Sequence, residues 1–98
     1  MAQFDVHEIS GHGLVVDCQS DLMSDLRSRF VVPLRLKHGF PVQSARFNPE
    51  FEVDGRDYVL ATQFPRAVEI ERLGKRIFSL SEHDLTIKNA LDMLISGY

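Results

Sequence analysis

Tryptophan is absent from this chain and cysteine occurs once, at Cys18. A lone cysteine excludes an intrachain disulfide and leaves a reducing compartment as the simplest setting. Long apolar runs are also missing, and none approaches the roughly 20 residues needed to span a bilayer. The opening residues, MAQFDVHEIS, lack a basic segment followed by an apolar one, so no signal peptide is predicted. Neither sign of charge dominates: 11 Lys and Arg stand against 14 Asp and Glu, a net charge of −3 with a pI near 5.7. A general nucleic-acid binder needs a basic face, which this balance does not supply. The expectation is a soluble, cytoplasmic protein that touches neither membrane nor nucleic acid directly.

The 98 residues suffice for one domain, 1–98, and not for two. With 44% hydrophobic and 26% charged residues, the composition is that of an ordinary globular chain. Phe4, Val6 and Ile9 mark a first strand over 3–9, and Gly11-His12-Gly13 a turn. Leu14–Cys18 reads as a second strand, and as a core position for Cys18 rather than a nucleophilic one. Phe30–Leu34 reads as a third, with Pro33 demanding an edge or a bulge because it has no N–H. Residues 37–47 are interrupted by Gly39 and Pro41 and fit neither helix nor strand. Asp54-Gly55 between the β-prone runs Phe51–Val53 and Arg56–Ala61 predicts a tight hairpin. Val68–Ile70 is a further short strand, followed by a turn at Leu73-Gly74-Lys75. Then the period changes. Ser81 with Asp84 three residues on reads as a helix start, and Ile87, Ala90, Leu91 and Leu94 fall on one helical face over roughly 82–95. Docking is expected through Ile87, Leu91 and Leu94, with Gly97 as the C-cap. The fold class is all-β to α+β, about five antiparallel strands and one terminal helix.

The four histidines, His7, His12, His38 and His83, show no paired ligand spacing, so neither a metal nor any other cofactor is expected. No phosphate-binding glycine loop and no nucleophile elbow occur. One catalytic arrangement is open to these residue types. A metal-independent ribonuclease needs an acid, a base and a cation, which His, Asp and Arg could supply, with His7, Arg27 and Arg29 among the candidates.

Several segments, taken in order, resemble a known family. Gln3-Phe4-Asp5-Val6, Val16-Asp17-Cys18-Gln19-Ser20-Asp21-Leu22, Val31-Val32-Pro33-Leu34, the stretch Phe51 to Leu60, and Ile87-Lys88-Asn89-Ala90-Leu91 are similar to CcdB-type toxins, at the family's spacing. The resemblance implies a small SH3-like antiparallel barrel with a C-terminal helix, CcdB/MazF-like, paired as a homodimer. It implies a toxin without catalytic activity, which binds the A subunit of DNA gyrase, traps the cleaved DNA complex and is neutralised by a CcdA-like antitoxin. Carried over residue by residue, the gyrase-binding surface is Leu22, Met23, Asn89, Asp92, Ile95, Ser96, Gly97 and Tyr98. The chain departs from the family at its end, where Ser96 and Tyr98 stand in place of Trp and an aliphatic residue. A stacking Trp supplies area and cation–π attraction that Ser does not. Two other readings share the barrel: a MazF/Kid-type endoribonuclease toxin, and a non-toxic relative that only binds an antitoxin.

Overall fold

Adjacent residues of a strand point to opposite faces, so the runs Val15-Val16 and Val31-Val32 require a sheet covered on both sides. The computed structural model, which describes residues 2–97, has that arrangement. Its strands are β1 (Asp5–Ile9), β2 (Gly13–Asp17), β3 (Ser28–Leu36), β4 (Glu50–Val53), β5 (Arg56–Leu60), β6 (Arg66–Glu69) and β7 (Arg76–Ser79). They form one curled antiparallel sheet, a half-barrel in the order β4-β5-β3-β2-β1-β7, with β6 also on β3. The helix α1 (Asp84–Ser96) closes the chain. On one face Phe4, Val6, Val16, Val32, Leu34, Phe51, Leu60 and Leu80 pack with Ile87 and Ala90 of α1. On the other, Ile9, Val15, Val31 and Val68 form a smaller cluster with Leu73.

β3 is the strand on which the sheet turns. One side pairs with β2 through Leu34, Pro33, Val32 and Val31. The other is shared, Ser28 to Val31 with β6 and Leu34 to Leu36 with β5. Pro33 accepts a hydrogen bond from Ala61 N at 2.8 Å. A residue's N and O leave a strand on the same side, so the missing Pro33 N–H faces the gap where β6 stops and β5 begins. The proline therefore sits in a central strand at a break between partners rather than at an edge.

The hairpin Val53–Arg56 turns at Asp54 (φ 52°) and Gly55 (φ 79°), the pair of positive angles a type I′ turn needs. Gly74 is fixed by space. Its N–H donates to Glu8 O at 2.8 Å, and a Cβ there would lie 2.5 Å from that oxygen. His7 Nδ1 lies 2.9 Å from Gly74 O, and a carbonyl can only accept, so the ring donates from Nδ1.

Three expectations are corrected. β7 has no counterpart among the predicted strands; Ile77 and Phe78 carry it along β1, with a bulge between Val6 and His7. Ser81 does not cap α1. It opens a 3-10 turn, Ser81–His83, and its hydroxyl pairs with Ser79 Oγ at 3.2 Å, while the helix cap position is His83. Leu94 is 40% exposed, because the helix end overhangs an open groove; Ile87 and Ala90 carry the docking and Leu91 is partly buried. Gly97 does cap the C-terminus, at φ 83° with its N–H on Met93 O.

Ile87→Ala should therefore cost about 2–5 kcal/mol in urea unfolding, and Leu94→Ala no more than about 0.5 kcal/mol. Equal effects would place the helix in the wrong phase. Gly74→Ala should destabilise by about 1–3 kcal/mol through forced backbone movement; an unchanged melting temperature would mean that this approach is not tight.

Candidate functional site

Asp17 and Arg29 are buried to 0% and 1% exposure, on neighbouring strands β2 and β3. Arg29 Nε donates to Asp17 Oδ2 at 3.0 Å. Nη2 lies 2.7 Å from the same oxygen but is too skewed to count as a hydrogen bond, so it contributes as an ion-pair contact. Asp17 does more. Its Oδ1 accepts from Gln19 N at 3.1 Å, and its backbone O from Phe4 N. Gln19 in turn accepts from Phe30 N at 2.9 Å and donates to Met23 O at 2.8 Å. Ser20 Oγ caps Leu22 N at 3.2 Å and Asp21 Oδ1 takes Gln3 N at 2.9 Å. Each polar residue of Asp17-Cys18-Gln19-Ser20-Asp21 thus helps shape one exposed 3-10 turn, Asp21–Met23.

That turn presents Leu22, 93% exposed, and Met23. The helix presents Asn89, Asp92 and Ser96 along one solvent-facing stripe, with Ile95, 78% exposed, beside it. Gly97 is exposed, and Tyr98 lies outside the described residues. Two consecutive residues tether both elements. Gln3 holds the turn through Asp21. Phe4 packs in the core with Ile87 and lies under Lys88, whose Nζ is 5.9 Å from the ring centroid. Beside the helix end, Gln43, Ser44, Phe47, Gln63, Met93, Leu94 and Gly97 line a groove of about 540 Å³. Buried Asn48 builds its far wall by donating to Leu60 O at 3.0 Å and Gln63 Oε1 at 2.8 Å. The sequence reading missed this wall because residues 37–47 carry no periodic signal.

The residues considered for ribonuclease chemistry do not converge. His7 is buried against Gly74, with Nε2 lacking a hydrogen-bond partner. Arg29 is consumed by Asp17, and Arg27 is exposed and paired with Glu71. His83 lies against the Phe51 ring, with centroids 5.0 Å apart. No group of three or more potential ligands gathers among the described residues. No helix among them is long and apolar enough to cross a membrane. Burial, and secondarily the charge of Asp17, pushes the Cys18 thiol well above its ordinary range.

The model of the CcdB protein family matches residues 3–97. The chain belongs to the CcdB family. This is the toxin family that the Asp17–Asp21 and Ile87–Leu91 segments resemble, and the match takes in both presenting elements. No match was found among curated protein sequences. Among solved structures, the Mycobacterium tuberculosis toxin MazF-mt6 is similar with a TM-score of 0.75 at 12% identity, covering 93% of this chain and 95% of that one. An endoribonuclease in complex with its cognate antitoxin, from a mycobacterial species, is similar with a TM-score of 0.78 at 10% identity, covering 97% and 94%. At such identity the likeness establishes a shared fold, a MazF-like half-barrel with a terminal helix, for this CcdB-family chain.

Removing one member of the buried pair, as in Asp17→Ala, should cost about 3–5 kcal/mol, since Arg29 is left charged in the interior. A loss below about 1 kcal/mol would mean that water reaches the pair. Cys18 should resist a thiol reagent in the native protein and react once denaturant is added; rapid native labelling would contradict its burial.

Proposed function

We propose that the protein is the toxin of a toxin–antitoxin pair and acts by binding the A subunit of DNA gyrase, trapping the cleaved DNA complex without catalysis of its own. The observation that carries this reading is the division of labour just described. Leu22, Met23, Asn89, Asp92, Ile95, Ser96 and Gly97 are all exposed. Among the described residues none of their side chains has a polar partner, yet the turn is held by hydrogen bonds of the Gln19, Ser20 and Asp21 side chains, and Gln19 N is tied to buried Asp17. Exposed residues on a braced support add little stability and are placed for recognition. Exposed Phe64 and Leu94, with the uncharged groove beside Leu94, support pairing of two copies. A flexible CcdA-like antitoxin is the expected neutralising partner.

An endoribonuclease toxin is the second reading, favoured by the shared half-barrel. It would need catalytic residues other than His7 and Arg29, whose polar atoms are buried.

The test is affinity for the gyrase A dimerisation fragment. Deleting Ser96 to Tyr98 should leave the melting temperature nearly unchanged and abolish binding. Ser96→Trp should tighten binding about tenfold or more, because an aromatic ring there can stack on a partner cation. Equal binding by wild type and truncation would remove the helix end from the site. Absence of binding by all three would mean that the fold is right and the target is another molecule.

A further inference from the structure

Sulfur occurs in four residues of the chain, Met1, Cys18, Met23 and Met93. Met1 lies outside the described residues, and the other three differ sharply in their surroundings. Cys18 is buried in the core, where burial and the charge of Asp17 keep the thiol protonated. The thiolate is the reactive form, so this sulfur is withheld from oxidants. Met93 is half-buried along the groove beside Leu94. Met23 is 51% exposed, at the end of the Asp21–Met23 turn. Its neighbours there are apolar. Leu22 and Leu26 are exposed, and Phe30, whose N–H is held by the same Gln19 side chain, adds an exposed ring. The turn does not rest on the Met23 side chain. Met23 N donates to Ser20 O at 2.9 Å, and Met23 O accepts from Gln19 Nε2 at 2.8 Å and from Leu26 N at 3.3 Å. All three bonds use main-chain atoms of Met23, so chemistry at its sulfur leaves the turn standing and alters only the surface it presents.

We propose that Met23 is a reversible oxidation site, at which hydrogen peroxide converts the thioether to the sulfoxide and silences recognition by the turn. The sulfur lone pair attacks one peroxide oxygen, so that an S–O bond forms as the O–O bond breaks. The transferred oxygen gives its proton to the departing hydroxide, which leaves as water. Sulfur is oxidised by two electrons and the peroxide is reduced by two. The product is a polar, chiral side chain where a flexible apolar one stood. A sulfoxide oxygen pressed against a partner needs a hydrogen-bond donor, and a surface complementary to Leu22 and Leu26 offers none, so the complex weakens. Methionine sulfoxide reductases, one for each epimer, restore the thioether. The loss of recognition rests on the reading that this turn meets the target; the preference of the oxidant for Met23 does not.

The purified chain is treated with hydrogen peroxide, sampled over time and mapped by peptide mass. Met23 should gain one oxygen before Met93 does, with Cys18 unmodified and the melting temperature unchanged. Affinity for the gyrase A dimerisation fragment should fall about tenfold or more, and return on treatment with the two reductases. Met23→Leu, whatever its starting affinity, should show no change on oxidation, whereas Met93→Leu should lose affinity as the wild type does. Growth arrest on induced expression reads the same switch whatever the target. There Met23→Gln, a lasting polar side chain, should arrest growth less than Met23→Leu. If the untreated chain arrests growth with this dependence and binds no gyrase, the gyrase reading fails and the switch stands. Oxidation of Met93 or Cys18 first, or an oxidised turn that binds and arrests as before, would overturn the proposal. So would a chain that neither binds gyrase nor arrests growth, since the turn would then have nothing to silence.

Discussion

One carboxylate organises the side of the molecule that carries the exposed Asp21–Met23 turn. Asp17 holds Arg29 in the interior, turns Gln19 and receives the backbone of Phe4. A buried ion pair is not in itself a large source of stability, because both groups lose their hydration. Its effect here is directional. With Asp17 and Arg29 paired, β2 and β3 have one register, since a slip by one residue would carry the aspartate to the opposite face. Gln19 then reaches both Phe30 N and Met23 O, and the exposed turn has one conformation.

The same geometry explains why the family signature was legible before the fold was. The polar residues of Asp17 to Asp21 each make a bond that shapes the turn, and in Ile87-Lys88-Asn89-Ala90 two residues are buried, one lies over Phe4, and Asn89 is left to solvent. The Asp54-Gly55 turn and the Gly97 cap were legible because each demands a backbone angle that few residues adopt. Antiparallel strands followed by a terminal helix were legible from these local signals, whereas the curling of the sheet into a half-barrel was implied only by the family resemblance.

What escaped the sequence reading is tertiary in origin. β7 exists because β1 offers it an edge, and four residues are too few to show a period. The Ser81 signature misled because Ser79, two residues back, competes for its hydroxyl. Leu94 has the spacing of a core residue, but the sheet ends before the helix does, and the sequence does not encode where a neighbouring element stops. The same mismatch at the other end leaves Leu36 open. Residues 37–47 are shaped by the buried Asn48, which lies outside the stretch and bonds at long range to Leu60 and Gln63.

A braced, exposed helix end and turn, with the catalytic candidates His7 and Arg29 buried in structural roles, support the proposal that the protein acts by recognition. The proposal divides sharply from an enzymatic toxin on a single in vitro experiment. Purified protein is incubated with gyrase, supercoiled DNA and ATP, and in parallel with total cellular RNA, followed by gel analysis of both nucleic acids. The account expects linear DNA to accumulate in a cleaved gyrase complex while the RNA stays intact. Cut RNA with gyrase unaffected would contradict it.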